Sequence, residues 1–219
     1  MDWVFPAWML YVEYATQKIA ETFQLLEEER SQLFDFRDTL KRLLMEAWTQ
    51  AKEKLTALYK AVAEGTYRLE GNKLYAPDGA WMYVRENLAP HTTIRGVSAL
   101  ARFPDVLKLP HERLELLQLG WRASDEGYHG GRPYIHTAQP WQLFAWTATR
   151  YGALHAYVTS VNLTRGGRAC QYVSSQEAGG RSGAKTRLST SSRATSDAEN
   201  GHPSSLRGLG MVNLNEMIY

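Results

Sequence analysis

A single cysteine, Cys170, stands in the 219 residues of this chain. One thiol cannot build an intramolecular disulfide framework or a cysteine-rich zinc site. It fits a reducing, intracellular compartment. Long hydrophobic runs are also missing. The N-terminal stretch MDWVFPAWMLYVEYA is apolar, but it carries Asp2 and Glu13 and has no basic leader. It is too short and too charged to span a bilayer and lacks a signal-peptide pattern. Nothing else approaches about 18 uninterrupted apolar residues. The expectation is a protein with no membrane association, cytoplasmic or otherwise intracellular, or carried in a virion if it is a coat protein.

Charge of one sign is scarce too. The formal net charge is +2, too mild to argue nucleic-acid binding alone. Acidic residues exceed basic ones over residues 1–65, and the balance turns positive toward the C-terminus. Gly166-Gly167 and Gly208-x-Gly210 are too short for phosphate-binding loops. No HxxxH or HxH pair is present, so no metal and no cofactor is expected.

Glycine and proline are absent between Pro6 and Gly65. That segment is rich in Leu, Glu, Lys, Ala and Gln, all good helix formers. Its apolar residues recur at close to helical spacing, from Tyr11, Ala15 and Ile19 to Leu55, Leu58 and Val62. The acidic run Glu27-Glu28-Glu29 interrupts the stripe. The pattern predicts either one long helix or an αα-hairpin turning near residues 28–31, with Gly65 as the stop. A stripe this long needs a partner, so residues 1–65 read as a helical oligomerisation arm or packing platform.

Residues 66–173 read as a mixed α+β binding domain. Gly71-Asn72 and Pro77-Asp78-Gly79 separate three short strands, a small antiparallel meander. Residues 97–102 and 110–119 read as helices. The second uses Leu114, Leu116, Leu117 and Leu119 as core contacts and ends at Gly120. Residues 127–133 read as a glycine-containing loop, Pro140 opens a helix reaching Tyr151, and residues 154–163 alternate as a strand. From Ser174 the composition turns to Ser, Thr, Gly and Arg, so residues 174–219 read as a flexible tail. Its end, Leu206 to Tyr219, is apolar again and suits a docking segment. The fold class is α+β: a long N-terminal helix or helical hairpin, a small antiparallel sheet with packed helices, and a flexible C-terminal tail.

What the chain has in excess is aromatic rings, with 7 Trp and 12 Tyr. They concentrate between Gly120 and Gly167, interleaved with arginines. Phe144, Trp146 and Tyr157 sit at positions suited to a core. Trp121, Tyr128 and Tyr134 lie in or near glycine-containing segments, where aromatics have fewer ways to be buried. Rings that stack on bases beside arginines that follow phosphates make a single-strand nucleic-acid surface. The candidate binding residues are Trp121, Arg122, Tyr128, Arg132, Tyr134, Arg150 and Arg165. The function expected is non-catalytic, sequence-tolerant binding of nucleic acid, with self-association through the helical arm. Two alternatives stay open. One is a structural subunit of a virion, filament or nucleoprotein coat. The other is a histidine-dependent nuclease or hydrolase using His129, His136 and the nearby Asp125, Glu126 and His155.

Overall fold

The structure, a computed structural model, describes residues 5–85, 88–163 and 169–177. The expected flexible tail beyond residue 177, its apolar end at Leu206–Tyr219, and Arg165 lie outside the described residues. The rest is α+β, with four helices and one antiparallel sheet among the described residues.

Two helices, α1 (Phe5–Thr22) and α2 (Glu27–Glu64), form a hairpin. The turn falls slightly earlier than the sequence suggests, for an electrostatic reason. Gln24 takes a left-handed conformation, φ 47°, and Leu25 N–H donates back to the Ala20 carbonyl at 3.2 Å, which closes α1. Glu27, Glu28 and Glu29 then occupy the first turn of α2, where carboxylates meet the positive end of the helix dipole. Glu29 accepts the Leu26 N–H at 3.0 Å. The acidic run starts a helix rather than breaking one. Gly65, φ 68°, caps the far end, as its position predicts.

The hairpin buries its stripe within the same chain. Leu33, Phe36, Leu40, Leu44, Leu55 and Leu58 are all buried. Phe36 of α2 meets Phe103 edge-on at 5.0 Å and Phe144 at 6.0 Å. These three rings tie α2 to strand β5 (Ser98–Phe103) and helix α4 (Pro140–Thr149). Across the hairpin, Glu13 pairs with Lys41 and with Arg37.

The remaining strands are β1 (Arg68–Glu70), β2 (Lys73–Tyr75), β3 (Trp81–Arg85), β4 (Leu88–Thr93), β6 (Glu126–His129), β7 (Arg132–Thr137), β8 (Gly152–Leu163) and β9 (Ala169–Glu177). Their order is β1-β2-β3-β4-β8-β9-β7-β6, with β5 also pairing β8. The meander β1–β3 forms where the turn residues place it. Strand β8 is the spine: β4 pairs it at residues 160–162 and β5 at residues 152–157.

Four local expectations are corrected. Residues 98–103 form a strand, not a helix, because Ala101 and Phe103 point into the core at a spacing of two while β8 pairs the whole run. Helix α3 (His111–Ala123) runs through Gly120 and buries none of its leucines; Leu116 is 68% and Leu119 57% exposed. Residues 127–133 form a hairpin, not a loop. Gly130 and Gly131, φ 58° and 76°, make the two-residue turn that needs positive φ at both positions. Residues 174–177 belong to β9, whose backbone pairs both β7 and β8. Ser and Gln there are carried by the ladders on either side rather than by strand propensity.

Candidate nucleic-acid interface

The sheet has two chemically distinct faces. On one, Leu74, Met82, Ala101, Phe103, Ile135, Leu154, Ala156 and Val158 are buried in the same core as the helical hairpin. The alternate positions, which point the other way, are half or fully exposed. Strand β7 alternates Arg132, Tyr134 and His136 outward with Pro133, Ile135 and Thr137 inward. Strand β8 places His155 and Tyr157 outward, their rings near parallel at 17° and 6.2 Å apart. Through β9, His136 shares a row with Tyr157, and Tyr134 shares one with His155. On β5, Leu100 pairs His155 and Arg102 pairs Ala153.

Tyr134 is held by an unusual neighbour. It pairs Gly127 across the hairpin, and its ring lies over that glycine. A tyrosine covering a strand glycine gains contact that a side chain at that position would deny. Tyr157 has its phenol raised from the ordinary value by burial, while Arg132 pulls it back down. His136 stands at an exposed strand position, yet desolvation by its neighbours lowers its pKa from the ordinary imidazole value.

The residues singled out in the sequence therefore divide. Arg132 and Tyr134 lie on the exposed face. Arg122, Tyr128 and Arg150 gather instead about Glu126, on the helix-covered side of the hairpin. The Glu126 carboxylate is fully enclosed. Arg150 grips it with two bonds, Nη2 to Oε1 at 2.7 Å and Nε to Oε2 at 3.0 Å. The Trp146 indole N–H donates to Oε2 at 2.9 Å. Arg122 approaches to 4.0 Å from the solvent side. Burial, then the Glu126 charge, raises the Tyr128 phenol. Arg150 is itself 5% exposed, so its guanidinium is committed to the interior. Trp121 is half-buried against the core from α3.

The histidines and carboxylates named in the sequence do not all share one side of the hairpin. His136 faces outward and Glu126 inward, on opposite sides of paired strands, and Asp125 sits exposed after α3. No group of three or more metal-ligating side chains occurs among the described residues. No helix among them is long and apolar enough to cross a membrane.

A second group of rings escaped the sequence reading. Lys73, Tyr75, Trp81 and Tyr83 occupy the outward positions of β2 and β3, flanking buried Leu74 and Met82. His91 follows on β4, stacked on Tyr83 at 5.0 Å. The signal was present as alternation: Lys73-x-Tyr75, Trp81-x-Tyr83, Arg132-x-Tyr134-x-His136 and His155-x-Tyr157 repeat a basic or aromatic residue every second position. Such residues share one face of a strand. Compared with known proteins, the chain matches no family model, no curated sequence and no solved structure, so its chemistry is read from its own residues.

Proposed function

We propose that this protein binds single-stranded nucleic acid, without catalysis and with little sequence preference, on the exposed face of its sheet. The observation that carries the reading is the make-up of that face. Half-exposed Tyr134, Tyr157 and His155 stand beside Arg132 and Arg102, at positions where an ordinary solvated sheet face carries polar residues without large rings. Of the described outward positions, Arg68, Lys73, Arg102 and Arg132 are cationic and Glu70 is acidic. Bases stack on rings whatever their identity, and arginines follow the phosphates. The interface proposed is thus the strand face rather than the 120–134 segment. From that segment Arg132 and Tyr134 contribute to the face, while Glu126, gripped by Arg150 at the end of α4, holds the hairpin in place.

Titrating the protein into fluorescent single-stranded DNA and RNA, at several salt concentrations, tests this. Anisotropy that rises on binding and collapses with added salt supports it. No salt-sensitive binding to either polymer overturns it.

A further inference from the structure

The meander carries a second aromatic and cationic cluster, built more closely than the first. Trp81 meets Tyr83 edge-on, 4.9 Å apart at 90°, and Tyr75 approaches Trp81 at 6.5 Å. Lys73 Nζ sits 4.5 Å from the Trp81 ring centre and 5.8 Å from that of Tyr83. The Arg68 guanidinium lies 5.1 Å over Tyr75 while also pairing Glu70 at 2.6 Å. Tyr75–Trp81 and Lys73–Tyr83 are opposed pairs that help hold β2 to β3, but they add nothing to the buried core. The inward residues of the same strands, Leu74 and Met82, already supply the core, and the rings remain half-exposed. Rings and cations gathered on the outward positions of β1–β3 offer half-exposed stacking surface beside positive charge.

The cluster is continuous with the Arg132–Tyr134 patch along β8. His91 pairs Asn162 of β8, and Tyr157 lies five residues earlier on that strand. Tyr134 lies further along, in the row of His155, seven residues before Asn162 with one bulge at Val158/Ser160 between them. At about 3.3 Å per step the gap from the row of His91 to that of Tyr134 is about 20 Å, about six steps of stacked bases at ~3.4 Å, and fewer in an extended strand. We propose that the cluster of Lys73, Tyr75, Trp81, Tyr83 and His91 is a second base-stacking subsite, and that one nucleic-acid strand runs from it along β8 to Arg132 and Tyr134. Lys73, resting on the Trp81 ring, transfers to a phosphate as a base takes up ring surface. This rests on the reading of the exposed face given above, and it adds a minimum length: a strand too short to bridge the gap engages one subsite at a time.

The test compares fluorescent oligothymidylates of four and twelve nucleotides on the full chain. The wild-type protein is expected to bind the 12-mer at least tenfold more tightly than the 4-mer. Trp81→Ala is expected to weaken the 12-mer by about tenfold, since one stacked base is worth ~1–3 kcal/mol, and to change the 4-mer by no more than about twofold. Lys73→Glu, a change at the surface, provides the same readout should Trp81→Ala melt early; circular dichroism confirms that each variant is folded. If the 12-mer binds wild type, Trp81→Ala and Lys73→Glu equally, the subsite is refuted while the exposed-face reading stands. If wild type binds neither length, that reading fails first and the subsite with it.

Discussion

The ring of Tyr134 lies directly over the α-carbon of Gly127: a Cβ added there would come within 2.5 Å of the phenol carbon Cζ. The clash falls at the far end of the tyrosine, which can swing away. Gly127→Ala is therefore expected to cost only about 1 kcal/mol, the low end for overpacking. It should nevertheless weaken single-strand binding, because the displaced ring no longer presents its face. Urea melts and anisotropy on the same sample separate the two effects. Unchanged affinity would remove Tyr134 from the interface.

Arg150 and Glu126 make the opposite kind of pair, enclosed and bidentate. Removing one partner strands a buried charge, so Arg150→Ala should destabilise the fold by about 3–5 kcal/mol. A double change, Glu126→Leu with Arg150→Met, should recover much of that loss, since no ion is left unpaired. The Trp146 N–H would still lack its acceptor, a residual cost of ~1–3 kcal/mol. Chemical denaturation of the three proteins provides the comparison.

Arg132 stands on the exposed face, and its removal should act on binding rather than folding. Arg132→Ala is expected to weaken single-stranded DNA of any sequence to a similar degree. It should also lower the slope of log K against log salt by about 0.7, the share of one phosphate contact. A salt series on wild type and variant measures this. An unchanged slope would show that Arg132 touches no phosphate.

Phe144 joins α4 to the rings of Phe36 and Phe103 at 6.0 Å and 6.3 Å. It is almost completely buried, so Phe144→Ala should cost about 3–5 kcal/mol. Because α4 also carries Trp146, which bonds Glu126, the hairpin β6–β7 should loosen with it. Hydrogen exchange at Ile135 and Thr137 would report that loosening.

Stability should fall as pH drops, in two stages. The fold lowers the His136 pKa from 6.5, so the unfolded chain binds that proton first and acidification below about pH 6.5 disfavours folding. Glu29 is lowered from 4.5 by the Lys108 hydrogen bond, then by the Leu26 N–H. Its contribution is present above pH 4.5 and is lost as pH falls through the lower folded value. Thermal melts between pH 8 and pH 3 should show both stages. His136→Gln should flatten the first; Glu29→Gln should make the second shallower, the remainder belonging to Asp38, which its hydrogen bond with Arg37 also lowers.

Much of the fold was readable where the chemistry is local. Gly65 ends α2, Gly71-Asn72 turns β1 into β2, and Pro140 opens α4, because caps and turns depend on residues a few positions apart. The reading failed where distant pairing decides. Ser98–Phe103 has no strong local preference until β8 lies alongside it. Gln171–Glu177 becomes a strand only because β7 and β8 offer ladders on both sides. Gly127 and Gly130-Gly131 look like loop residues until Tyr134 covers one and a tight turn uses the others.

The sequence by itself determined that the N-terminal third is helical, that the middle is α+β, and that aromatic and basic residues are too many for a core alone. Those properties follow from propensity, spacing and composition. Which rings face water was a tertiary decision. The side of a strand on which a residue stands depends on which neighbour pairs it and which side the helices cover. That is why Arg150 is locked onto Glu126 in the interior, while Lys73, Trp81 and Tyr83 reach the face that Arg132 and Tyr134 share.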